Sequence, residues 1–315
     1  MPKLNYDENE YRYFRNYDGQ ERMDDAGSLF LARELDALRA KVYEVETPAL
    51  NALSVFAVQS EAAGWQDTIT YGLISDYGMA RIISDYSDNI PMVGVYGQYL
   101  TVAIYTIGDA YSFSMKEIEK AQATGKGLSD RLAMAARRGV DAKINDLVWN
   151  GDEDYGIVGV FDNENISVSL TAPWDKDGQK TMDGIVKAMQ DILTITKGLY
   201  QANAVVLPVS YSAALTQQLP NTNVSFKTFL LQENPGLQIT FAQELEDVDG
   251  QGNPGALVMV KSADVAAIEI SQPFRQHPAQ WNNLHAKVVC DARTAGLIVY
   301  KPLCLTLIKG INTPA

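Results

Sequence analysis

The sequence predicts an α+β fold, and three observations carry that expectation. Residues 128–150 hold the clearest helix pattern: Leu128, Leu132, Ala136, Val140, Ile144 and Leu147 or Val148 fall on one stripe, with Asp130, Arg137, Arg138, Asp141 and Asn145 on other faces. Residues 65–107 are rich in β-branched and aromatic side chains. Past residue 265 the chain returns to strand patterns at 265–270, 285–291 and 296–308.

Residues 1–28 carry seven acidic and four basic side chains, with Tyr6, Tyr11, Tyr13, Phe14 and Tyr17 interleaved. A purely solvated tail is poor in aromatics, so rings set among charges suit a segment that docks on another surface. A frayed terminus with chance tyrosines is the alternative. Leucines 31, 35 and 38 behind Ser28 predict a helix over 28–40. Residues 53–59 read as a short strand. In the β-rich region Thr68 to Ile74 is a strand, Asp76-Tyr-Gly78 a turn, and 79–83 a return strand. Pro91, Gly94 and Gly97 break the pattern, after which 99–107 reads as a long buried strand. Ser114 with Glu117 three residues on is a capping-box pattern opening a helix over 114–123.

The 128–150 helix would be a rod of roughly 34 Å, with Gly151 as its C-cap. Residues 156–265 are mixed: helices at 180–199, 209–218 and 225–232, strands at 203–207, 237–242 and 256–261, and an exposed loop at 246–255.

The totals exclude several function classes. A chain of 315 residues with 46% apolar content can bury a large core. No apolar run reaches the roughly 20 residues that span a bilayer. The opening MPKLNYDENEYRYF has no apolar core, so it does not read as a signal peptide, and a cytosolic setting is expected. Cys290 and Cys304 then read as two buried thiols. A net charge of −13 repels phosphates, and no arginine occurs from Gly139 to Phe274, which argues against sequence-specific nucleic-acid contact and against a nucleotide site there.

Standard catalytic patterns are missing. His277 and His285 are the only histidines, and neither HExxH, a zinc-spaced Cys/His cluster, G-x-S-x-G nor a phosphate loop occurs. Gly94-x-x-Gly97 and Gly156-x-x-Gly159 read as turns. Two acidic loops imitate calcium sites, but Asp175-Lys-Asp177-Gly178 puts Lys180 where an EF-hand needs glycine, and the loop opening at Asp247 has Val258 in place of the closing acid. No cofactor and no metal are expected.

Three stretches, in their order along the chain, carry a family resemblance. The first is Arg39-Ala-Lys-Val-Tyr-Glu-Val-Glu-Thr-Pro48 with Val55-Phe-Ala-Val58. The second runs from Thr68-Ile-Thr-Tyr71 through Gly108-Asp-Ala-Tyr-Ser-Phe-Ser114 to Glu117. The third is Asn145-Asp-Leu-Val-Trp-Asn-Gly151 with Gly156-Ile-Val-Gly-Val160, which resembles the helix-end pattern ED-x-x-(aromatic)-x-G and G-I-x-G-(aliphatic), Asn145 standing where glutamate is common. From about 29 to 311 the chain resembles the major capsid proteins of tailed double-stranded-DNA bacteriophages, with the Hong Kong 97-type fold shared by encapsulins.

The resemblance implies a division of the chain. Residues 1–28 are the N-arm, 29–64 start the peripheral domain, and 65–90 form an extended hairpin, the E-loop. Residues 91–159 continue the peripheral domain with its spine helix at 128–150, 160–265 form the axial α/β domain, and 266–315 supply the peripheral domain's C-terminal strands. It also implies a non-enzymatic subunit that self-assembles, through pentamers and hexamers, into an icosahedral shell around the genome, within the virion, after assembly in the bacterial cytoplasm. Implied partners are a separate scaffolding protein, a portal, a decoration protein and packaged double-stranded DNA without sequence-specific contact. No membrane is involved. Tyr11, Phe14, Tyr17, Trp65, Tyr71, Tyr77, Arg81 and Tyr86 are the candidate subunit-interface residues.

Two other readings stand beside this one. An encapsulin-like compartment would share the fold, although the long charged arm suits a phage capsid better. A cytosolic α/β enzyme would need a site that no motif supplies. The archetype of the fold joins neighbouring subunits by an isopeptide bond from a hairpin lysine to an asparagine. Between Glu61 and Ser114 this chain has no lysine, and Arg81 is its only basic residue there. A guanidinium stays protonated and is a poor nucleophile, so no hairpin crosslink is expected.

Overall fold

A computed structural model describes residues 49–78, 92–118, 128–170 and 173–312. The helix expected at 28–40, the return strand at 79–83 and the end of the helix at 114–123 lie outside these residues.

In chain order, a one-turn helix α1 (Ala52–Val55) leads into β1 (Ala57–Gln59). The long strands β2 (Thr68–Tyr77), β3 (Gly94–Ala103) and β4 (Tyr105–Ser114) follow, then the long helix α2 (Leu128–Trp149) and two short strands, β5 (Gly151–Asp152) and β6 (Ile157–Val158). The mixed region contains β7 (Ser167–Leu170), α3 (Gly178–Ile195), β8 (Ala204–Pro208), α4 (Ser212–Thr216), α5 (Phe226–Glu233), β9 (Gln238–Ala242) and β10 (Ala256–Met259). The chain ends through β11 (Ala266–Glu269), β12 (Gln272–Gln276), β13 (Gln280–Asn282), β14 (His285–Thr294), β15 (Gly296–Val299) and β16 (Leu305–Lys309).

Helix α2 buries the expected stripe: Ala136, Val140, Ile144, Leu147 and Val148 are all buried. Its N-terminal half packs on the ladder formed by β4 and β14, where Ala136 meets Val288 and Cys290. Its C-terminal end is held by backbone. Gly151 takes a φ of 78°, the left-handed conformation of a helix terminus, and β5 turns through Gly156, φ 66°, to pair with β6. The returning chain then donates from Val160 N–H to Val148 O at 3.0 Å and from Phe161 N–H to Trp149 O at 3.1 Å. This brings Gly151 and Gly159 into backbone contact, so that a Cβ on Gly159 would collide with main-chain atoms of residues 149–151. Trp149, fully buried, stacks on Phe161 at 5.5 Å and meets Phe56 edge-on at 5.7 Å. The glycine and aromatic spacing of the helix-end motif is therefore a packing requirement.

Asn145 has a local reason to be an amide. Its Oδ1 accepts from Ala52 N–H at 2.9 Å, and its Nδ2 donates to Glu244 Oε1 at 2.7 Å. A glutamate here would set a second carboxylate against Glu244.

The mixed region is a five-stranded sheet in the order β7-β16-β10-β8-β9. Its central strands are buried on both faces, as expected of strands covered on both sides. Val206, Leu257, Met259, Leu305 and Leu307 face the core that also holds Trp149. Val205, Leu207, Ala256, Val258 and Ile308 face the helices α3, α4 and α5. Helix α3 starts at Asp177, whose carboxylate accepts from Gln179 N–H at 2.8 Å and Lys180 N–H at 3.4 Å. The carboxylate of this calcium-like loop is thus engaged as a helix cap.

Several expectations need correction. The run 296–308 is two strands in different sheets, parted by a turn of 3-10 helix at Pro302–Cys304. β16 does not join the other C-terminal strands but enters the five-stranded sheet, parallel to β7 and antiparallel to β10, where Leu305 and Leu307 are buried on one face and Thr306 and Ile308 on the other. Residues 52–55 are helical where 53–59 read as strand, leaving β1 only three residues. The pattern missed β7, β12 and β13, which carry polar or exposed residues at most positions.

Beside β1-β11-β15, a second sheet is built around β14, with β4 on one side and β12 and β13 on the other. Arg275 on β12 holds Asp291 on β14 by two bonds, at 2.7 and 2.9 Å, with His277 Nε2 at 3.2 Å. The Arg275 guanidinium keeps the Asp291 carboxyl below its usual pKa. At Ser114 the capping box forms as expected: Ser114 N–H donates to Glu117 Oε2 at 2.7 Å, and Glu117 N–H to Ser114 Oγ at 3.3 Å.

A projecting hairpin as the candidate assembly surface

β2 and β3 form an unbroken antiparallel ladder of ten residue pairs, from Thr68 opposite Ala103 to Tyr77 opposite Gly94. Both Asp76-Tyr77, read as a turn, and Gly94 with Gly97, read as breakers, lie within it. The glycines sit opposite large side chains: Gly72 faces Tyr99, Gly94 faces Tyr77 and Gly97 faces Ile74. An aromatic ring lying over a cross-strand glycine covers backbone that would otherwise be open, and the Tyr99 and Tyr77 rings do this. Thr70 and Thr101 share a hydroxyl hydrogen bond at 2.9 Å. At about 3.3 Å per residue each arm is roughly 33 Å long.

Among the described residues of the hairpin, those at the root are packed. Ile69, Tyr71 and Val102 lie against a cluster of Ala62, Ile104, Ala295 and Ile298, with Tyr71 edge-on to Tyr300 at 5.0 Å. Burial, with the nearby Glu61 and Glu269 carboxylates, pushes the Tyr300 hydroxyl up to about 12. Glu269, itself buried, accepts from the backbone N–H groups of Glu61 and Ala62 at 2.8 and 2.9 Å.

Beyond the root the described part of the hairpin exposes apolar side chains on both faces. Period-two alternation puts Tyr77 and Tyr96 on one face and Ile74, Val95 and Tyr99 on the other. Tyr99 is 77% exposed, Tyr96 65%, Tyr77 64% and Ile74 71%, and Met92 and Val93 beside them are equally open. A two-stranded ribbon is marginal alone in water, so a solvent-facing apolar ribbon of this kind calls for a covering partner.

The expected interface residues divide. Trp65 and Tyr77 are exposed. Tyr71 is half-buried against its own subunit and serves the root. Tyr11, Phe14, Tyr17, Arg81 and Tyr86 lie outside the described residues. Val95, Tyr96 and Tyr99, which sequence reading did not single out, are exposed as well. That reading placed Tyr99 in a buried strand because Gly94 and Gly97 masked the alternation that begins at Gly94. A second open apolar spot lies at the other end of the β14 sheet, where Trp281, edge-on to Phe113 at 6.2 Å, is exposed with Leu284 and Met115.

No group of three or more His, Cys, Asp or Glu side chains converges as a metal site among the described residues. In the second calcium-like loop Asp247 and Asp249 accept from their own backbone, Asp247 from Gly252 N–H at 2.9 Å and Asp249 from Gln251 N–H at 3.1 Å. Both cysteines are buried and free, and burial raises each thiol's pKa. No described helix is long and apolar enough to cross a membrane.

Residues 78–311 match a family model described as Major capsid protein. The chain belongs to the major capsid protein family. It is a structural shell protein of the virion, and its fold is the α+β Hong Kong 97-type capsid fold. The fold recurs in the capsid of Myoviridae phage XM1, at 17% identity and a TM-score of 0.77, over 89% of this chain and 98% of that one. The capsid of a native GTA particle matches at 10% identity and a TM-score of 0.64, over 85% and 92% of the two chains. A virus-like particle from Pyrococcus furiosus matches at 11% identity and a TM-score of 0.57, over 87% and 95%. No curated protein matches the chain by sequence. In this major capsid protein the described part of the hairpin is a ribbon with apolar side chains exposed on both faces.

Proposed function

We propose that this chain closes an icosahedral shell around packaged double-stranded DNA through pentamers and hexamers of itself, and that the β2–β3 hairpin is its main anchor between copies. The observation that carries this is the two-faced exposure of the distal hairpin, which a neighbouring subunit would cover. The five-stranded α/β body serves as the axial domain, with β16 included. The long helix and the β14 sheet serve as the peripheral domain, and residues 1–28 as a strap. The subunit acts without catalysis, is assembled in the host cytoplasm with a separate scaffolding protein, and meets a portal and a decoration protein. Its acidic surface suits DNA that must not stick to the wall.

The shell is held non-covalently. With no lysine between Glu61 and Ser114, the hairpin lacks the nucleophile for an isopeptide bond. Cys290 and Cys304 are free and buried within the subunit. Mature particles boiled in detergent with reductant should run as a single band near 34.6 kDa. A ladder of multimers, mapped by mass spectrometry to residues 61–114, would overturn this.

A further inference from the structure

Three features meet where the hairpin leaves the subunit. Asp67, just before β2, bonds in two directions. Its backbone carbonyl accepts from Ile104 N–H at 2.8 Å, and its carboxylate accepts from Arg293 Nη2 at 2.6 Å. Ile104 is the single residue between β3 of the hairpin and β4 of the β14 sheet, and it is buried. Arg293 lies on β14, opposite Thr106 of β4, and its other terminal nitrogen donates to Gly64 O at 2.5 Å. The Arg293 side chain is 13% exposed, whereas that of Asp67 is 87% exposed. One residue therefore ties both hairpin arms to the body, and one end of the tie is open to solvent.

Past Tyr71 and Leu100, no hydrogen bond or ion pair among the described residues joins the hairpin to the body. The ribbon is stiffened along its length by the ladder, so motion concentrates at its root. There the chain passes from one sheet to another through Ile104. The apolar cluster around Tyr71 and Tyr300 resists sliding, but it is non-directional. An ion pair with fixed donor geometry selects one angle.

We infer that Asp67 and Arg293 form a latch that fixes the angle at which the hairpin leaves the subunit, with Ile104 as the pivot. Arg293 acts as a positioning residue: it bonds Asp67 and Gly64 of its own chain and so aims the hairpin. Its importance to assembly rests on the hairpin being the anchor between copies. The latch itself is a property of the single subunit and is tested there.

The test is a distance measurement on the unassembled full-length chain, with spin labels on Gln98→Cys of β3 and Met134→Cys of α2. Both native thiols are buried and stay unlabelled. Gln98 stands six residues from the pivot, a lever of about 20 Å, so a swing of about 15° moves it by about 5 Å. With Asp67 intact the distance distribution should be single and narrow. Asp67→Ala should broaden it by about that 5 Å, with the melting temperature unchanged because Asp67 is exposed. Asp67→Asn keeps an acceptor oxygen for Arg293 and should restore the narrow distribution. An Asp67→Ala distribution that matches the parent chain's would overturn the latch, whether or not the chain builds shells.

Discussion

Replacing Gly159 by alanine is expected to destabilise the subunit by ~3 kcal/mol or more, the upper range for an added group in a site that cannot yield. The neighbours its Cβ would strike are main-chain atoms of Trp149, Asn150 and Gly151, not the ends of flexible side chains. Relief would require parting the β5–β6 turn from the end of α2. That would break the bonds from Val160 and Phe161 back to Val148 and Trp149, and would open the Trp149–Phe161 stack. For a body of this size the melting temperature should fall by about 10 °C. Gly156→Ala is the control. That position is open but has a φ of 66°, so it should cost only ~1 kcal/mol. Thermal melts followed by circular dichroism separate the two, and a Gly159→Ala melt at the parent temperature would show that the backbone contact is not tight.

The second large effect falls on assembly and spares the fold. Tyr96 and Tyr99 project from opposite faces of the hairpin and are both exposed, and the cover Tyr99 gives Gly72 lies outside the packed root, so changing both to serine should lower the melting temperature by only a few degrees. If each is an anchor worth ~2 kcal/mol when covered, losing both raises the concentration needed for assembly about a thousandfold. Tyr71→Ser should behave differently. That ring packs on Tyr300 within the same subunit, so its loss should lower the melting temperature as well. Light scattering against protein concentration reads the threshold. A double variant that assembles at the parent's concentration would remove the hairpin from the interface.

Much of this was legible in the sequence wherever one physical signal acted alone. The stripe on 128–150 gave the long helix almost to the residue, because no glycine or proline interrupts it except Gly139, which a helix tolerates. Ser114 and Glu117 formed the capping box they spelled out. Trp65 and Tyr77 are exposed, and Tyr99, read as part of a buried strand, is exposed too, because Gly94 and Gly97 look like strand breakers until the opposite strand is known. Their role is set by the partners Tyr77 and Ile74, more than fifteen residues away in sequence. The run 296–308 fails for a related reason. Apolar content alone does not say which sheet a strand joins, and Leu305 to Ile308 entered the five-stranded sheet, where both of its faces are buried. The root latch could not be read at all, since Asp67 and Arg293 are brought together only by the fold.

Sedimentation of the purified full-length chain, with negative-stain microscopy of every fraction, tests the shell-building role most directly. Species at multiples of 34.6 kDa are expected, seen as rings of five or six subunits and as curved or closed shells at higher concentration. A chain that runs as a 34.6 kDa monomer at every concentration, with no ring or shell in any fraction, would contradict it.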